Sequence, residues 1–198
     1  ENIMPLGANK AAIMGVAGVS TGDVVLLSSQ TASNSTSIDF TSGITSTYGE
    51  YIFKFYNINP ATNSAVFGFD TSTDGGSNYA STKTTTGFAA SHGEDDGGGS
   101  LGYDAGYDIQ QGTGDQLLGD SIGNGGDESL AGELHLFNPS SATYVKQFYA
   151  RTNIYVANDY VSDTFVAGYI NQTADVDAVQ FKMNSGNFDG TIKMWGVK

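Results

Sequence analysis

The chain has 198 residues, 39% of them hydrophobic, which is enough for one domain with a packed core. Its net charge of −13 argues against nucleic-acid binding, which needs a basic face, and against anionic membrane surfaces. Cysteine is absent, so no disulfide contributes, and no apolar run reaches the ~20 residues of a membrane-spanning helix.

Glycine is abundant at 27 residues, proline is scarce at 3, and 11 Tyr and 11 Phe supply bulk. With many Ser, Thr and Asn, this is the composition of a turn-rich all-β protein. Residues 1–22 include "KAAIMGVAGV", which has the length of a signal-peptide apolar core but is rich in Ala and Gly and lacks a preceding basic cluster. It reads as an N-terminal arm or tether.

From residue 23 onward, short β-rich runs alternate with turn residues. "DVVLLSSQ" and "STSIDFTSG" come first, followed by "GEYIFKFYNI", where Tyr51, Phe53 and Phe55 share one face. "NPATNS" is a turn, and "AVFGFD" leads into "DTSTDGGSN". From Gly93 to about Glu128 the chain is Gly/Asp-rich with scattered apolar residues, and it reads as a long loop excursion. Beyond it lie "AGELHLFN", "ATYVKQFYARTNIYV", "TFVAGYI", "VDAVQFKMN" and a closing "GTIKMWGVK". In "GELHLF", Leu134 and Leu136 face one way and Glu133, His135 and Phe137 the other. In "VQFKM", Val179, Phe181 and Met183 share a face. Period-two patterning between regularly spaced turns predicts one antiparallel β-sandwich over residues 23–198, of roughly 9–11 strands and jelly-roll type.

Few residues point to chemistry. The two histidines, His92 in an acidic loop and His135 on a strand, show no zinc spacing. Ten of the 21 acids fall between Glu94 and Glu133, but nothing in the spacing selects a glycosidase pair. The expectation is therefore a protein without catalytic activity.

Asp70, Ser72, Asp74 and Gly75 match the first half of a calcium loop. Position 12, which should carry a bidentate Glu, is Ser81, and the flanks read as strands. The stretch reads instead as a hairpin turn, because Asp-Gly-Gly tolerates positive φ. Asp70, Ser72 and Asp74 remain the candidate metal ligands; no cofactor is assigned, and Ca2+ is the one ion left open. Tyr48, Tyr51, Tyr56, Tyr79, Tyr103 and Tyr107 read as core or strand-face side chains, with sugar-stacking platforms as the alternative reading.

Three blocks then carry a family likeness. "IDFTSGITSTYGEYIFKFYNINPATNSAVFGFDTSTDGGSNY", "ESLAGELHLFNPSSATYVKQFYART" and "FKMNSGNFDGTIKMWGVK" occur in that order. Together they resemble virion structural proteins of tailed, especially marine, bacteriophages, over roughly residues 23–198. The resemblance implies a β-sandwich building block of the particle surface: a fibre, tail or capsid component with no catalytic residue to carry over. It also implies a homo-oligomer, a trimer above other states, that contacts other virion proteins. The alternative is a carbohydrate-binding module or adhesin, Ca-assisted or not, with a host-surface glycan as partner.

Overall fold

The computed structural model describes residues 23–198, so the arm read over residues 1–22 lies outside it. Every strand pairing is antiparallel and, among the described residues, there is no α-helix. The strands are β1 (Val24–Ser35), β2 (Ser37–Phe40), β3 (Glu50–Pro60), β4 (Ala65–Ser72), β5 (Lys83–Gly93), β6 (Ser100–Tyr103), β7 (Gln110–Gly112), β8 (Gln116–Ile122), β9 (Leu130–Phe137), β10 (Lys146–Val156), β11 (Tyr160–Ile170), β12 (Ala178–Met183) and β13 (Phe188–Val197). The sequence predicts fewer.

The strands form one sheet that curls on itself, nearly closing into a barrel. One side runs β1–β13–β3–β9–β10–β11–β5, with β6 and β7 on the far edge of β5. The other side runs β8–β4–β12–β2. Two corners join them. At one, β9 accompanies β10 as far as Ile154, and β8 takes over where Ile122 pairs Val156. At the other, the chain turns from β1 into β2 just after Asn34, which has φ 50°. The Asn187 amide donates to the Asn34 carbonyl and holds that corner.

The inner faces carry the aromatic residues that the alternation assigns to the core. Phe181 of β12 sits at the centre, its ring 5.2 to 6.2 Å from Phe40, Phe53, Phe55, Phe67 and Phe69. These rings come from both sides of the curled sheet, so their mutual burial is what holds the two sides together. Tyr51, Leu134, Leu136, Val179 and Met183 also point inward, as the period-two reading requires.

Two expectations are corrected. The Gly93–Glu128 segment is not a single loop excursion: it contains β6, β7 and β8, and β8 is an interior strand bearing the fully buried Leu118 and Ile122. Gly119 breaks its apolar run and makes it look like loop. A Cβ there would lie 2.3 Å from Leu130 Cδ1, so the glycine marks close packing and not a turn. The second correction concerns "DTSTDGGSN". Gly75 and Gly76 do adopt positive φ (71° and 85°), but β4 and β5 do not pair. β4 lies between β8 and β12, and β5 pairs β11, β6 and β7, so the turn carries the chain from one side of the curled sheet to the other. Local turn chemistry dictates the reversal, whereas strands distant in sequence decide the partners.

Candidate binding face

The candidate metal ligands are drawn into two separate arrangements. Asp70 points inward, where its Oδ1 lies 2.8 Å from Lys83 Nζ, and both side chains are almost completely buried. The same oxygen accepts hydrogen bonds from the Thr71 and Ser81 amides, and Lys83 also donates to the Gly114 carbonyl at 2.8 Å. Burial pushes the Asp70 carboxyl above its ordinary range, and the Lys83 ammonium opposes that rise.

Ser72 and Asp74 close the turn itself. Asp74 accepts from the Ser72 hydroxyl at 2.6 Å and from the Asn78 amide and side chain at 2.9 and 2.6 Å. Those bonds to the ionised form hold Asp74 down at about 2. Asp177, on the segment entering β12, accepts from the Gly75 amide at 3.0 Å. Among the described residues, no group of three or more His, Cys, Asp or Glu side chains is arranged to hold a metal ion. A second buried cation, Lys146, sits where three carbonyls converge, those of Ser141, Tyr144 and Gln172 at 2.6 to 3.2 Å. Desolvation lowers its pKa.

Both histidines are engaged by carboxylates. His92 Nε2 is 3.6 Å from Asp96 on an exposed loop. His135, on the outer face of β9, contacts Glu50 through Nδ1, and its Nε2 is 3.2 Å from Glu133 but outside hydrogen-bonding geometry. Tyr149 stacks on the imidazole at 4.5 Å, which is why a residue on the outer face is only 9% exposed.

The tyrosines separate by side of the sheet. Tyr51 and Tyr107 are buried, and the Tyr51 hydroxyl donates to the Thr45 carbonyl at 2.8 Å. Tyr48 packs against the core and Tyr79 is half-buried. Tyr56 and Tyr103 are exposed on the outer face. That face is the unusual surface of the molecule. Nine large hydrophobic side chains are exposed among the described residues, and only Tyr144 lies in a loop. By register and alternation the other eight all stand on the outer face of the β1–β13–β3–β9–β10–β11–β5 side or its β6 extension. This concentration of exposed apolar side chains on one face makes it the candidate contact surface.

Ionic residues form a row across the same face. Register places Arg151 of β10 beside Glu133 of β9, Lys54 of β3 and Lys193 of β13. Lys54 Nζ is 3.3 Å from Glu133, and although desolvation raises the Glu133 carboxyl, the combined pull of the neighbouring His135 and Lys54 outweighs it and holds the group below its usual range. Arg151 forks onto Asp163 through Nε and Nη2 at 3.0 and 2.8 Å, lying 4.8 Å above the Phe165 ring. Phe165 stacks in turn on Phe88 at 4.8 Å.

A groove of about 510 Å³ runs through this row, floored by Ala131 and Gly132. Gly132 is required there, because a Cβ would lie 2.3 Å from the Arg151 carbonyl. Among the tyrosines singled out from sequence, Tyr56 alone borders the groove; apart from Phe55 and Gly132, its other residues occupy positions whose alternation marks them as outward-facing but not as neighbours. No protein-family model, curated protein or solved structure matches the chain.

Proposed function

We propose that the chain is a non-enzymatic structural subunit of a bacteriophage particle, exposed at its surface in the capsid, tail or fibre. The observation that carries the proposal is the placement of the three blocks resembling virion proteins. The first supplies nearly all of β2 and all of β3 and β4, the second β9 and the larger part of β10, and the third half of β12 and all of β13. In the fold these become β2–β12–β4 on one side and β13–β3–β9–β10 on the other, which enclose the Phe181 cluster. The shared pattern thus belongs to the framework and not to a reaction centre, as a building block requires.

The reading extends to a jelly-roll arrangement and to a homo-oligomer, a trimer, assembled through the exposed outer face and contacting other virion proteins. The expected test result is recovery of the chain, at stoichiometry matching other structural proteins, from purified particles of the phage that encodes it. Its absence by mass spectrometry from particles that contain the other structural proteins overturns the reading.

A further inference from the structure

We infer that the groove across β3, β9, β10 and β11 is a binding site for an uncharged oligosaccharide. The inference is independent of where the protein resides, because it rests on the groove alone. Its volume, about 510 Å³, falls within the ~300–1,000 Å³ of small-ligand sites. It spans three strand intervals, or about 14 Å at the usual strand spacing, which suits a short run of linked pyranose rings.

The walls offer what a pyranose presents, an apolar C–H face and a rim of hydroxyls. Tyr56, 41% exposed, borders the groove, braced by Lys193 Nζ at 5.2 Å from its ring centroid. On the opposite wall the Arg151–Asp163 fork is held against Phe165. That fork uses Nε and Nη2 and leaves Nη1 to donate outward. The exposed Asn153 amide stands beside it, with a donor and an acceptor on one group. Lys54 fixes Glu133 as an acceptor on the groove floor. These groups are held before any ligand arrives, which lowers the entropy cost of binding.

Charge balance selects the ligand class. The chain carries −13, yet the groove holds two cations, Lys54 and Arg151, against two anions, Glu133 and Asp163. Each of these two cations is paired with one of those anions, and Lys193, behind Tyr56, faces the aromatic ring, so the groove lining itself is charge-balanced. Paired donors and acceptors beside an aromatic ring match hydroxyls.

The test applies the full-length chain to an array of neutral hexose and N-acetylhexosamine oligosaccharides, with uronate-containing and sialylated ones alongside. The expected result is binding to neutral members. Tyr56→Ala and Asn153→Ala, both at exposed positions, should reduce it about tenfold or more, the equivalent of about 1.4 kcal/mol. Ala131→Trp should block it by filling the floor, while Tyr144→Ala, outside the groove, leaves it unchanged. Melting temperatures equal to that of the parent chain establish that the variants are folded. Absence of neutral binding, binding confined to charged oligosaccharides, or full binding by folded Tyr56→Ala and Ala131→Trp variants would each overturn the inference.

Discussion

Asp70 and Lys83 show how little one residue's letter reveals about its environment. In sequence, Asp70 opens half of a calcium loop, while Lys83 is a lone cation in a threonine-rich run. Folding places them 2.8 Å apart in the interior, a partnership that no local pattern encodes. Removing one partner leaves a buried unpaired charge, so Lys83→Met should cost about 3–5 kcal/mol. Replacing both, as Asp70→Leu with Lys83→Met, should recover most of that loss, with urea midpoints as the measure. Asp74, by contrast, was legible as a turn residue, and its effect depends on pH. Its folded pKa of about 2 lies below the ordinary 3.8. Its contribution is therefore complete above pH 3.8 and is lost as pH falls toward 2. Asp74→Asn should flatten that part of the acid unfolding profile. An unchanged acid limb in the variant would contradict the assignment.

At the scale of elements, alternation made β3, β9 and β12 readable because each has one face against the core and one facing out. Glu133 and His135 point outward as the pattern requires, although Tyr149 covers the imidazole. β8 was missed because "QLLGDSI" is short, lies in a Gly/Asp-rich stretch and is interrupted by Gly119. Its importance is long-range: it pairs β4 and closes the corner with β10. Leu118→Ala should therefore destabilise the fold by about 2–5 kcal/mol, as expected for a buried leucine and not for a loop residue. Hydrogen exchange gives an independent check, since amides of residues 116–122 should exchange far more slowly than those of 94–99. Equal rates in the two segments would return β8 to the status of loop.

For the whole molecule, composition and period indicated an antiparallel all-β fold, but pairing order was not legible. The β1–β13 pair joins the two ends of the described chain, and β12, near the C-terminus, lies between β2 and β4. Nor did sequence show that the outward side chains of seven strands merge into one aromatic and ionic face. That face divides the proposed roles: the groove occupies its middle, and Phe88, Leu101 and Tyr103 lie at the β5–β6 edge. If the edge is the subunit contact, Leu101→Asp should convert the oligomer to a monomer by light scattering. Leu101 is 74% exposed, so stability should change little. The central claim, a surface subunit of a phage particle, is tested most directly by imaging intact particles of the encoding phage at a resolution that shows strands. The account predicts density for this curled β-sheet, repeated at symmetry-related positions on capsid, tail or fibre. A fully interpreted particle in which no density accepts the fold would contradict it.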